Sequence, residues 1–248
     1  MSEQNEAILG RIREIKSEHP AWGYRRVWAY LRYRDEVPVN QKRIYRLMRE
    51  NGLMVQKSAH SGASRPRFTS KPRTDVPNDI WGIDMTKIMI DGFGWVYLHV
   101  VLDWGSKMIV GYRLSTRSKT EDWLKALDMA VNAQFPNGVR EHDNLKLVSD
   151  NGSQPTSIAF MKACNTLRIK QIFTSYSNPK GNADTERVMR TIKEDLVWPN
   201  EWNSYEKFAN ALEKWIRAYN YDYPHSTLKY LTPYQYERRY VNQFYPLN

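Results

Sequence analysis

Three acidic side chains carry most of what this sequence says about chemistry. Asp84 sits in Trp81-Gly-Ile-Asp-Met-Thr86, Asp150 closes Leu145-Lys-Leu-Val-Ser-Asp150, and Glu186 lies in Asn182-Ala-Asp-Thr-Glu-Arg-Val-Met-Arg-Thr-Ile-Lys193. Thirty-five residues lie between Asp150 and Glu186. Carboxylates brought together repel one another unless cations neutralise them, and hard oxygen donors of this type suit Mg²⁺ or Mn²⁺. Two such ions activate an attacking oxygen and stabilise a leaving one, which points to phosphodiester chemistry.

The elements that must position these acids follow from periodicity. Residues 80 to 90, 94 to 103 and 107 to 114 read as three successive strands, with Asp91-Gly92 a turn between the first two. Thr120 to Gln134 reads as an amphipathic helix through Trp123, Leu124, Leu127, Ala130 and Val131. A strand at 145 to 149, a helix within 154 to 167, a strand at 168 to 174 and a helix from about 183 complete the series. A meander followed by alternating helices and strands is the order of an α/β, ribonuclease-H-like sheet. Ligands collect at strand ends in open sheets, which suits Asp84 and Asp150.

Two acids compete with the three. Asp103 closes the second strand as Asp84 occupies the first, and Asp184 lies two residues before Glu186. Two residues on a helix point about 200° apart, so one of Asp184 and Glu186 faces the site. The bases Arg187, Arg190 and Lys193 follow Glu186 on its helix, and Val188, Ile192 and Leu196 form the expected buried side. Arg190 and Lys193 extend a stripe from Glu186, which reads either as simple i to i+4 pairing or as a contact to DNA near a scissile phosphate.

A helical head precedes this core. Ile8, Leu9, Ile12 and Ile15 recur at helical spacing and stop at His19-Pro20; Val27 and Leu31 mark a second helix from near Gly23. Asn40 is a natural N-cap for a third, with Ile44, Leu47 and Met48 inward and Gly52 a left-handed stop. Three short helices with a polar turn are what a helix-turn-helix needs, and the third presents Lys42, Arg43, Arg46 and Arg49. Residues 54 to 78, rich in Ser and Pro and carrying Arg65 and Arg67, read as a basic linker. The domain division is therefore 1–53 head, 54–78 linker, 79–240 core and 241–248 tail.

The net charge of +10 is concentrated in the first 75 residues, which hold 16 Lys and Arg against 8 Asp and Glu. Such a surface gains affinity for any polyanion by counterion release. The single cysteine, Cys164, excludes an intramolecular disulfide and a cysteine-based zinc site. No segment approaches the roughly 18 to 20 apolar residues of a membrane helix, and residues 1 to 6 lack the features of a signal peptide.

These segments, with Ser149-Asp-Asn-Gly-Ser153 and Tyr219-Asn…Pro224-His225, resemble the DDE transposase and retroviral integrase superfamily. Within it the chain is most similar to the second-reading-frame product of a two-frame bacterial insertion sequence. The resemblance rests chiefly on the Asp150 to Glu186 interval and on Lys193, seven residues past the glutamate. It implies a ribonuclease-H-like core with catalytic and metal-binding roles for Asp84, Asp150 and Glu186, around two Mg²⁺ ions that Mn²⁺ can replace. It further implies positioning roles for Asn151, Asn182 and His225, and a substrate of double-stranded DNA, comprising element ends and target. A homodimer or larger assembly on DNA, a first-frame companion protein and a cytoplasmic, nucleoid-associated location complete the expectation.

The sequence departs from the family at Tyr223, where relatives commonly carry arginine before Pro-His, and at Lys107, where arginine is usual. Two other readings remain open on sequence: a metal-dependent nuclease without joining activity, and a catalytically idle regulator that occupies DNA through its head.

Overall fold

The helical spacing at the start of the chain is realised as α1 (Glu3–Glu18), α2 (Tyr24–Tyr33) and α3 (Gln41–Glu50). The computed structural model describes residues 3–55, 74–174 and 181–244. It divides into two units, Met1–Arg67 with Pro224–Leu231, and Phe68–Tyr223 with Thr232–Asn248.

In the first unit Ile12, Ile15, Val27, Leu31, Ile44, Leu47 and Met48 are buried, so each helix gives the core the face its periodicity predicts. The Asn40 carboxamide accepts a hydrogen bond from Arg43 N at 2.8 Å, capping α3. Gly52, at φ 68°, follows that helix in the left-handed conformation. The His19-Pro-Ala-Trp22 corner is held by packing: the two rings stack at 3.9 Å between centroids, and Trp22 is fully buried. Pro224–Leu231 is a closed loop in which His225 N donates to Leu231 O at 3.1 Å, and Tyr230 meets Trp28 edge to face at 5.4 Å.

The second unit is built on five strands: β1 (Ile80–Ile90), β2 (Gly94–Asp103), β3 (Ile109–Ser115), β4 (Lys146–Ser149) and β5 (Lys170–Phe173). Their order is β3-β2-β1-β4-β5, with β1, β2 and β3 antiparallel and β1, β4 and β5 parallel. Helices α4 (Thr120–Gln134), α5 (Ile158–Thr166), α6 (Ala183–Ile192), α7 (Tyr205–Asp222) and α8 (Pro233–Phe244) surround it. This is the ribonuclease-H-like arrangement expected from the order of elements.

Alternation along β1 divides the two faces. Trp81 and Ile83 join Val101, Trp123, Leu127, Leu147 and Phe160 in the core beneath α4 and α5. Gly82, of opposite parity, faces α6. Cys164 is buried in the first of these layers, where desolvation pushes its thiol up to about 12, so it is an inert core residue.

Two element ends differ from the expected ones for a backbone reason. Lys107 adopts φ 62° in the turn after Asp103, so β3 starts at Ile109 and not at 107. Arg168, at φ 57°, breaks the chain between α5 and β5, which delays the strand to Lys170. Most of the linker, including Arg65 and Arg67, lies outside the described residues, as does the end of the tail from 245 onward.

Candidate active site

Strand register places the first two acids. On parallel strands β1 and β4, Ile80 pairs with Lys146, Trp81 with Leu147 and Gly82 with Val148. Continuing that register by two residues brings Asp150, just past the end of β4, alongside Asp84, and both share the face of Gly82 that meets α6. Gly152 N donates to Asp150 Oδ1 at 3.0 Å, so the Asp-Asn-Gly sequence forms a local turn that orients the carboxylate, with no returning strand. The Asn151 amide donates to Thr174 O, joining the ends of β4 and β5.

The third acid is placed by the seat of α6. A Cβ built on Gly82 would collide with Thr185 Oγ1 and lie 2.5 Å from Trp104 Nε1 and 2.8 Å from Asn182 Oδ1, so only glycine admits the helix this closely. Trp104 Nε1 donates to Thr185 Oγ1 at 3.1 Å, and Asn182 Nδ2 donates to Ile83 O at 3.1 Å. Asn182 thus ties the start of α6 to the strand residue preceding Asp84. Val188, Ile192 and Leu196 are buried as expected, joined by Thr185 and Met189.

Asp184 and Glu186 separate as helical geometry requires. Asp184 pairs with Lys107 Nζ at 3.5 Å, whereas Glu186 opens onto a groove with Asp84, Met85, Thr86, Met189, Arg190, Lys193 and Trp198. The groove encloses about 350 Å³. Asp103 is committed elsewhere: fully buried, it accepts hydrogen bonds from Asn78 N at 3.1 Å, Gly105 N at 3.2 Å, and Ser106 N and Oγ at 2.9 and 2.5 Å.

The electrostatics of Asp84 register the company it keeps. Its carboxyl is pushed up to about 6, first by burial, then by the nearby negative charges of Asp150 and Glu186; the Met85 backbone N–H at 2.8 Å and the charge of Lys193 act in the opposite sense. Among the described residues, no three His, Cys, Asp or Glu side chains stand close enough to make a ready-formed metal cage. The donor set itself fits a hard divalent cation, because it consists of carboxylate oxygens, with the charges of Asp150 and Glu186 near enough to raise the proton affinity of Asp84.

The other residues singled out by sequence fall in distinct settings. Lys193 lies in the groove, as does Arg190, which also pairs with Glu194 at 3.2 Å in an exposed i to i+4 bridge. Arg187 is exposed on α6. In the head, Lys42, Arg46 and Arg49 are exposed, with Arg49 over the Tyr45 ring; Arg43 instead turns back to Asn5 Oδ1 at 2.9 and 2.7 Å and to Gln4 Oε1 at 3.2 Å. His225 belongs to the first unit. Trp198, exposed at 63%, is a groove residue that periodicity and motif spacing do not point to.

Comparison with known proteins finds relatives along most of the chain. The profile of the Integrase core domain matches residues 75–179, a second Integrase core domain profile matches 167–233, and an HTH-like domain matches 3–59. The chain belongs to the transposase and integrase superfamily. It is 27% identical over 241 residues to the transposase InsD of insertion element IS2A/D/F/H/I/K from Escherichia coli, covering 94% of this chain and 78% of the relative. In structure it is similar to a chain of the simian T-cell lymphotropic virus intasome in complex with the PP2A regulatory subunit B56 gamma, with TM-score 0.55 and 19% identity over 91% of this chain and 74% of that one. It is also similar to the HTLV-2 integrase catalytic core domain in complex with magnesium, with TM-score 0.51 and 21% identity over 65% of this chain and 97% of that one. Both likenesses concern the fold. No helix among the described residues is long and apolar enough to cross a membrane.

Proposed function

We propose that this protein is a DNA transposase that acts on the ends of an insertion sequence, freeing a terminal 3′ hydroxyl and joining it to target DNA. The reading is supported chiefly by Asp84, which shares a groove with Glu186 and Lys193 and feels the charges of Asp150, Glu186 and Lys193. Asp84, Asp150 and Glu186 would hold Mg²⁺ or Mn²⁺, which when bound stabilises the charge developing on the attacking and leaving oxygens of a phosphodiester.

The chain's own residues supply position and field. Lys193 and Arg190 flank the acids with positive charge that binds the DNA backbone beside the reacting phosphate. In the first step a water oxygen bonds to phosphorus as the bond to the 3′ oxygen breaks, leaving a 3′ hydroxyl. In the second, that hydroxyl attacks a target phosphodiester in the same groove and a new 3′ hydroxyl departs. Neither step needs a covalent bond to protein. The basic head, through Lys42, Arg46 and Arg49, is assigned to the element ends, with Arg65 and Arg67 following the backbone; two ends handled together call for a dimer or larger assembly, with a first-frame companion as a further partner.

The test is a joining assay with labelled, precut element-end DNA, a plasmid target and Mg²⁺ or Mn²⁺, comparing wild type with Glu186→Gln. Joined product that disappears in the variant is the expected result. Metal-dependent cutting without joining, with or without the companion, would replace this reading by a nuclease; binding without chemistry would replace it by a regulator.

A further inference from the structure

The stripe Glu186, Arg190 and Lys193 follows the regular turns of α6, and an α-helix continued from it would carry Trp198 roughly 120° away from Glu186. The chain does not continue that way. Lys193–Val197 forms a π-helical turn, in which Trp198 N donates to Lys193 O at 2.8 Å, five residues back. The wider turn delays the rotation, so that Trp198 returns to within roughly 30° of the stripe. The indole consequently lines the same groove as Asp84, Glu186, Arg190 and Lys193 while remaining 63% exposed.

An open indole at this place has a specific chemical complement. Its flat apolar face accepts a π surface of similar size, and the cations beside it accept the phosphate attached to that surface. A paired base inside a duplex offers no free face; a nucleotide turned out of the stack offers both base and phosphate. We infer that Trp198 stacks on the base of one unpaired nucleotide at the DNA end while Arg190 and Lys193 hold its phosphate, which fixes the terminal phosphodiester against the three acids. The inference rests on the transposase reading and adds to it the form of the substrate: an end whose terminal pairing is opened.

The experiment uses the full chain and element-end duplexes carrying 5-iodouracil at each of the last few positions in turn. Irradiation of the bound duplex without target is expected to cross-link Trp198 at one position, mapped by mass spectrometry. In the joining assay Trp198→Leu is expected to lose roughly tenfold, and Trp198→Phe to keep most of the activity, because an aromatic face and not apolar bulk is required. Removing the cross-linked base should abolish the difference between wild type and Trp198→Leu. Thermal melting of both variants reports whether the fold is intact.

Absence of a Trp198 cross-link at every position, equal joining by the leucine variant and wild type, or a loss that tracks subunit association instead of DNA would overturn the inference. The two readings fail separately. Cross-linking needs only bound DNA, so a chain that cross-links but never joins refutes strand transfer alone. One that joins, depends on Glu186 and ignores Trp198 refutes stacking alone.

Discussion

Gly82 and Thr185 stand so close, strand backbone to helix side chain, that any Cβ at position 82 would collide with the threonine hydroxyl. Two residues along the strand is Asp84 and one residue along the helix is Glu186. The contact therefore sets the separation of two acids on different elements. Gly82→Ala is expected to cost about 1–3 kcal/mol through overpacking and to reduce joining more than melting alone explains. The comparison is Gly10→Ala in α1, where a Cβ meets nothing within 4 Å and the change should stabilise by a few tenths to about 1 kcal/mol. Thermal denaturation of both variants, with joining assays, checks the pair.

The two acids of α6 should separate functionally as they do in space. Asp184→Asn removes a partly exposed pair with Lys107 and is expected to lower stability by at most about 1 kcal/mol, leaving joining within a fewfold of wild type. Glu186→Gln should leave the melting temperature nearly unchanged and eliminate joined product. Equal effects of the two changes on joining would contradict the assignment.

In the head, the four cations of α3 divide by what they already hold. Arg43 is hydrogen-bonded to Asn5 and Gln4, so Arg43→Ala should lower the head's stability. Lys42, Arg46 and Arg49 are exposed, and replacing any one by alanine should weaken end binding with little change in melting. Every phosphate that such a variant no longer neutralises should reduce the slope of log affinity against log salt by about one. Titrations at several salt concentrations distinguish the two classes.

Stability should fall with rising pH through a group that is not one of the candidate catalytic acids. Glu237 is pushed up to about 7 by burial and then by the negative charge of Asp103, whose own carboxyl is raised by burial. Between its ordinary 4.5 and about 7 the unfolded chain has released this proton and the folded chain still holds it, so the unfolded state binds fewer protons and folding weakens as pH rises. Glu237→Gln should flatten that portion of the profile and stabilise the protein at pH above 7, by on the order of 1–2 kcal/mol. Denaturant melts across this range test the sign.

Much of this arrangement is legible in the order of residues. Binary alternation marks β1 and β2 to the residue, helical periodicity marks α4 from Thr120 to Gln134, and Asn40 and Gly52 mark the limits of α3, because these signals act over a few residues of chain. The choice of Asp84, Asp150 and Glu186 comes from a resemblance in spacing; strand register and helix seating decide where those three residues lie. Periodicity starts β3 and β5 two residues early, at Lys107 and Arg168, since a left-handed backbone at a non-glycine residue leaves no mark in composition.

What the sequence by itself determined is the set of elements and the acids each one carries: period two put Gly82 and Asp84 on one face, and period 3.6 aligned Glu186 with Arg190 and Lys193. Tertiary structure decided which of these meet. Parallel pairing of β1 with β4, across the intervening β2, β3 and α4, brought Asp150 beside Asp84, and the seat at Gly82 brought α6 down onto them. Trp198 shows the division most plainly. At α-helical spacing it belongs to another face, and it reaches the groove because one π-turn shifts the helix phase, a change in hydrogen bonding from four residues to five that local propensity does not encode.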